Sequence, residues 1–159
     1  MPTLYGMLGD VSPATRPAAP RRCSIARALD VVGEKWSLLV VRELFLGVRR
    51  FNDIAANTGA PRDILTTRLR RLEELGVVER RQYDERPVRY EYRLTPAGKD
   101  LRPVIWALMD WGNKHVMDQP LPSVWEHSCG EVFEPRTHCA ACGEAVEPRA
   151  LVARDASTR

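Results

Sequence analysis

Residues 61–75 read Pro61-Arg62-Asp63-Ile64-Leu65-Thr66-Thr67-Arg68-Leu69-Arg70-Arg71-Leu72-Glu73-Glu74-Leu75, with Gly76 directly behind them. Leu65, Leu69 and Leu72 fall at i, i+4 and i+7, the spacing that lines one face of an α-helix. Pro61 suits a first helical position and Gly76 a stop. The opposite face then carries Asp63, Thr66, Thr67, Arg70 and Arg71. Short hydroxyls and guanidiniums are what a helix needs to reach base edges and phosphates in a major groove. Arg62, at the N-terminal end, is placed to reach the nucleic-acid backbone. An ordinary surface helix can show the same residues, so the neighbouring elements decide.

Upstream, Ser24 is the expected N-cap of a short helix, Ile25 to Val32, ended by Gly33. A second helix is expected from Lys35 to Leu46, with Trp36, Leu39, Val40, Leu44 and Leu46 as its apolar stripe. Gly47 to Arg50 reads as a turn into a third helix, Asn52 to Asn57, and Thr58-Gly59-Ala60 as the short turn before residue 61. Downstream the period changes to two. Val77 to Tyr83 and Val88 to Leu94 read as strands, the second with Val88, Tyr90, Tyr92 and Leu94 inward. Asp84-Glu85-Arg86-Pro87 forms the hairpin tip. Arg80, Arg81, Arg86 and Arg89 concentrate positive charge on it, which suits a minor groove or the adjacent phosphates. Two short helices across a tight turn, followed by a twisted hairpin, spell a winged helix-turn-helix.

Thr95-Pro96 supplies an N-cap and a first-turn proline for a long helix to Val116. Its broad apolar face of Leu101, Val104, Ile105, Leu108, Met109 and Trp111 exceeds what one small domain covers, so a homodimer is expected. Dimerisation implies a pseudo-palindromic operator in double-stranded DNA. The expected fold is mainly α with a small β-hairpin wing, plus a small cysteine-containing C-terminal β module. The expected divisions are a disordered arm over residues 1–21, a DNA-binding and dimerisation domain over 22–118, and a tail over 119–159.

The hydrophobic fraction of 44% and charged fraction of 28% are those of a globular protein. A net charge of +3 is too small to name a partner by itself; the clustering of arginine says more. No apolar run approaches the roughly 18 residues that cross a membrane, and residues 1–20 lack a secretory pattern, so a cytoplasmic location is expected. His115, His127 and His138 form no pattern with a nucleophile and an acid, so no enzymatic activity is expected.

Several stretches resemble the HxlR-type, MarR-like regulators: residues 23–39 (Cys23-Ser24-Ile25 through Glu34-Lys35-Trp36-Ser37), Arg42-Glu43-Leu44, Arg50-Phe51-Asn52-Asp53-Ile54, residues 65–72, and Tyr90-Glu91-Tyr92-Arg93-Leu94-Thr95-Pro96-Ala97-Gly98. The resemblance implies a bacterial one-component regulator, repressor or activator, dimeric through its terminal helices. It also implies that the helix holding Thr66, Thr67 and Arg70 enters the major groove. Gly59-Ala60-Pro61-Arg62-Asp63 departs from the serine-lysine type sequence of many relatives, which leaves the operator sequence open. Cys23 stands where the family often places a redox-sensing cysteine, and a thiol near a helix N-terminus is open to activation; it is equally a small apolar residue. Trp36, Trp106, Trp111 and Trp125 are either core or the lining of a small aromatic effector's pocket.

The tail reads His127-Ser128-Cys129-Gly130, and after it Cys139-Ala140-Ala141-Cys142-Gly143. A Cys-x-x-Cys-Gly turn is a zinc knuckle, and Cys129-Gly130 looks like half of another. Cys129, Cys139 and Cys142 with His127 would complete a tetrahedral structural zinc site, His138 and Glu126 being the other candidates for the fourth ligand. The alternative is a metal-free β-hairpin with buried or reactive thiols. For the chain as a whole, the alternative to a DNA-binding regulator is a protein-interaction module built from the winged domain and the zinc-binding tail.

Overall fold

Helices account for residues 24 to 74, a strand pair follows over 78–94, and two further helices come after it. The computed structural model describes residues 23–118, 121 and 124–152. The arm expected over residues 1–21 lies outside them. The elements are α1 (Ser24–Val32), α2 (Lys35–Phe45), α3 (Phe51–Thr58), α4 (Arg62–Glu74), β1 (Val78–Glu85), β2 (Val88–Leu94), α5 (Pro96–Lys99) and α6 (Arg102–His115).

The core gathers one face of each. Val40, Val41 and Leu44 of α2 and Ile54 of α3 pack with Leu65, Leu69 and Leu72 of α4. Val77, Val78 and Leu94 close the cluster from the hairpin side. Full burial of a leucine contributes about 1.5–3 kcal/mol, so the three α4 leucines fix which way that helix faces. On α2 the buried stripe includes Val41, Ser37 and Glu43, while Leu46 is exposed. Leu46 follows the last helical residue and therefore leaves the stripe.

Glu43 is the one charged residue buried in the described core. Its carboxylate accepts from Arg42 Nε at 3.0 Å and Nη2 at 2.6 Å, and from Asn57 Nδ2 of α3 at 2.8 Å. A buried carboxylate persists only when so satisfied. The contact fixes α3 against α2. Replacing Glu43 with alanine is expected to lower the unfolding free energy by about 2 kcal/mol in urea titrations, because Asn57 loses its partner. A change under about 0.5 kcal/mol would show that the clamp is dispensable.

Three boundaries differ from the sequence reading. Cys23, not Ser24, is the N-cap of α1: it has extended backbone, and Arg27 N–H donates to its carbonyl at 3.1 Å. Pro61 caps α4 from an extended conformation, leaving Arg62 as the first helical residue. The long helix expected from Pro96 to Val116 is two helices, α5 and α6, meeting at Asp100-Leu101. Pro103 explains the break. It has no N–H to offer, and its ring would meet the carbonyl of Lys99 if the helix ran on.

β1 and β2 pair antiparallel from Val78↔Leu94 to Glu85↔Val88, with a bulge between Gln82 and Asp84. Of the four residues expected inward on β2, Leu94 is buried and Tyr92 half-buried, but Tyr90 and Val88 are exposed. The hairpin projects past the core, so the alternation has nothing to bury against near the tip. Residues 47–50 do more than turn: Arg50 bridges Glu91, and Tyr92 N–H donates to the Arg49 carbonyl at 2.9 Å. Thr95 caps α5 as expected, its hydroxyl oxygen accepting from Gly98 N–H at 3.1 Å and donating to the Gly76 carbonyl at 2.6 Å. No described helix is long and apolar enough to cross a membrane.

Candidate nucleic-acid interface

The turn between α3 and α4 aims the second helix. Gly59 takes φ +71°, a conformation that favours glycine. Thr58 Oγ1 donates to the Ile54 carbonyl at 2.7 Å and accepts from Ala60 N–H at 3.2 Å, while Ala60 itself is buried. With Leu65, Leu69 and Leu72 held in the core, Arg62, Asp63, Thr66, Thr67, Arg70 and Arg71 are all exposed. The structure thus brings the residues expected on the reading face together on one exposed helix surface.

Their local bonding differs in ways that matter for recognition. Thr66 Oγ1 donates back to the Arg62 carbonyl at 2.8 Å, and Thr67 Oγ1 to that of Asp63 at 3.0 Å. Each hydroxyl keeps acceptor lone pairs and a methyl group free, the complement of a base amino group and a thymine methyl. Arg62 is tied to α3, donating to Asn52 Oδ1 at 2.9 Å and lying over the Phe51 ring at 5.7 Å. Arg71 pairs with Glu74 at 3.6 Å. Arg70 makes no ion pair among the described residues. Arg68 belongs to the interior side: it is half-buried, reaches Glu34 at 3.4 Å, and its Nε is buried without a hydrogen-bond partner.

The wing is less bare than four arginines suggest. Arg80 lies 3.7 Å from Glu73 and over the Tyr90 ring at 4.4 Å; Arg81 reaches Glu79 at 2.6 Å and Arg89 reaches Asp84 at 4.0 Å. Arg86, exposed at the tip, has no ion pair among the described residues. Exposed pairs of this kind are worth about 0–1 kcal/mol, so phosphates can replace the carboxylates at small cost. Arg50, which the sequence placed at the end of a turn, lies over Tyr83 at 5.1 Å on the seam between α3 and the wing. Burial raises the Tyr92 phenol's pKa, with Arg80 opposing and Glu73 adding to the effect.

Below the wing is a groove of about 220 Å³ walled by Phe45 and Tyr92 and rimmed by Arg49, Arg81, Arg93, Lys99 and Arg102. Arg102 lies over the Phe45 ring at 5.0 Å and the Trp106 ring at 5.9 Å. Trp106 also meets Phe133 of the tail edge-on, with centroids 5.0 Å apart. Cys23 is exposed, as are Cys129, Cys139 and Cys142. The backbone N–H groups of Ala141 and Cys142, with the Cys142 thiol, hold the Cys139 thiol below its usual pKa. The β pairing of the tail over residues 124–152 is confined to two isolated antiparallel bridges, Glu126↔Val132 and His138↔Ala145. Nine residues separate Cys129 from Cys139, too few for longer paired strands once the two turns are made.

A family model for the HxlR-like helix-turn-helix matches residues 31–120. An uncharacterised HTH-type transcriptional regulator of Mycobacterium tuberculosis (strain CDC 1551 / Oshkosh) is 49% identical over 121 residues, covering 73% of this chain and 77% of that protein. Among solved structures, PA1607, a candidate transcription factor, aligns with a TM-score of 0.73 and 32% identity over 85% of this chain and 96% of its own. The redox regulator HypR in its oxidised form aligns at 0.55 and 31% identity over 60% of this chain and all of its own. The helices and the antiparallel hairpin match those solved structures, and the chain belongs to the HxlR-like helix-turn-helix family of transcriptional regulators.

Proposed function

We propose that the protein binds a pseudo-palindromic operator in double-stranded DNA as a homodimer, inserting α4 of each copy into successive major grooves. The observation that carries this reading is the division of α4. Its leucines are wholly buried, while Thr66, Thr67 and the unpaired Arg70 stand exposed beside a wing that ends on Arg86. A folded domain has no packing use for that outer face. In this reading Arg70 reads a base edge, Arg62 and Arg71 contact phosphates at the groove's rim, and Arg80, Arg81, Arg86 and Arg89 steady the wing on the backbone. The activity is regulation of transcription without catalytic turnover, in the bacterial cytoplasm.

The apolar surface left bare supports the homodimer. Val104, Leu108 and Trp111 of α6 and Ile25 and Leu29 of α1 are all exposed at helical spacing. A second copy with the same face covers it by two-fold symmetry.

Selection from random duplex DNA tests the proposal, and two variants separate the roles. Arg70→Ala is expected to cost about 1–3 kcal/mol at the selected operator and to relax preference at one base position. Arg86→Ala is expected to weaken all sequences about equally and to flatten the salt dependence. No symmetric motif, together with no salt-sensitive binding to any duplex, would instead favour a protein-interaction module.

A redox-responsive form of the same function is favoured by one position. Cys23 is exposed at the N-terminus of α1, and HypR, a redox regulator, is similar in sequence and fold. Operator affinity should then fall on mild oxidation in the wild type and be indifferent to it in Cys23→Ser. Equal sensitivity of the two proteins would exclude this thiol.

A further inference from the structure

The two cysteine-bearing turns of the tail are built on one hydrogen-bond register. In the second, Cys139 N–H donates to the Glu144 carbonyl, Gly143 N–H to that of Cys139, and Val146 N–H to that of Thr137, at 2.8, 2.7 and 2.9 Å. In the first, His127 N–H donates to Glu131, Gly130 N–H to His127, and Phe133 N–H to Trp125, at 2.9, 2.9 and 2.7 Å. Each turn ends on a left-handed glycine, φ +91° at Gly130 and +77° at Gly143. Each carries one antiparallel bridge. Aligning the two registers sets His127 in the place of Cys139 and Cys129 in the place of Cys142, the first turn being one residue shorter. Spacing alone left Glu126 and His138 as rivals for the fourth ligand; the register chooses His127.

In the first turn the two donors already converge, His127 Nδ1 lying 3.2 Å from Cys129 Sγ. Among the described residues no three such side chains stand close enough together to hold a cation. The segment also lacks a core: Val124, Trp125, Val132, Leu151 and Val152 are exposed, and so are all three cysteines. Cysteine is among the most buried residue types, and a stretch of about 30 residues without a core needs a cross-link to hold its shape. The three cysteines of this segment cannot all pair with one another as disulfides.

We propose that His127, Cys129, Cys139 and Cys142 bind one zinc ion that ties the two turns together. Three thiolates and an imidazole are the donor set that tetrahedral zinc prefers, and four protein ligands leave no position for a catalytic water. The eight residues between Gly130 and Cys139 reach at most about 28 Å when extended, ample for folding back so that the turns meet. Phe133, between the turns, rests on Trp106 of α6. The closed site thereby anchors the tail to that helix.

The test uses the full chain. Protein made with zinc supplied should hold one equivalent by elemental analysis. Refilling chelator-treated, reduced protein with cobalt(II) alone should produce the visible bands of a tetrahedral ion and thiolate charge-transfer absorption. His127→Ala and each of Cys129→Ser, Cys139→Ser and Cys142→Ser should weaken cobalt binding at least about tenfold, since losing even an outer partner of a ligand typically costs about 10–100-fold. Glu126→Gln and His138→Ala should leave the spectrum unchanged. Far-ultraviolet circular dichroism checks that each variant stays folded. The proposal is overturned by the absence of tetrahedral bands in folded wild type, by weak octahedral cobalt only, or by loss in Glu126→Gln or His138→Ala with none in His127→Ala.

Discussion

Replacing Leu108 with glutamate is expected to leave the winged domain folded and to reduce operator affinity by about 10²–10⁴-fold, the range that linking two binding modules provides. Leu108 is 48% exposed at the middle of the α6 face, with Val104 and Trp111 one turn to either side. Since it contributes nothing to the buried core, the single copy loses little when it is changed. In a two-fold interface each substitution appears twice, and two carboxylates would face apolar surface without partners. The loss comes from geometry and not from DNA contacts: once separated, each copy must bind its half-site as an independent event. Sedimentation and operator titration on the same samples check both halves of the claim. A Leu108→Glu protein that remains dimeric and binds normally would move the interface off α6.

The second large effect is expected at Gly98, where α5 passes the strand that leads into the hairpin. A Cβ built there would stand 2.2 Å from the Val77 carbonyl oxygen and 3.0 Å from Leu94 Cδ2. The first neighbour is backbone and cannot swing away. Val77 is itself held, its carbonyl accepting from Thr95 N–H at 3.1 Å and its N–H donating to Leu72 at 2.9 Å. Gly98→Ala therefore has to pry α5 from the sheet, and a loss of about 3 kcal/mol is expected, at the upper end for overpacking. Thermal unfolding should show a midpoint lower by more than 10 °C for a domain of this size. A shift within 2 °C would mean that α5 moves aside freely.

What the sequence disclosed and what it hid have physical causes. The α4 leucines, spaced for one helical face, revealed both the core and the exposed reading face, because burying one side leaves the other defined. Gly59, Gly76 and Thr95 marked their turns for local reasons that any fold would respect. The break at Asp100 was also written locally, in Pro103, but the apolar period running across it masked the proline. Glu43 was hidden for a different reason. A carboxylate inside a helix reads as surface until Arg42 and Asn57 are placed around it, and Asn57 is 14 residues away. The pairing of wing arginines with Glu73, Glu79 and Asp84 likewise depends on strand register. Charge counted along the chain therefore overstated the bare charge of the wing. In the tail the cysteine motif was legible, but the register that sets His127 in the place of Cys139 was not, since it rests on backbone hydrogen bonds.

The joint at Asp100-Leu101 sets the angle at which α6 leaves the domain, with Leu101 and Ile105 packed on the core beside it. α6 has 14 residues and is thus about 21 Å long. A rotation of about ten degrees at its near end displaces the far end by roughly 4 Å, slightly more than the 3.4 Å rise of one base pair. In the proposed dimer, paired along α6, the two domains therefore keep their separation only as well as these joints keep their angle. An operator with half-sites one helical turn apart, about 34 Å, is a ruler with one-base-pair graduations. In that dimer, a small angular change at the joints is enough to put both reading helices out of step with it.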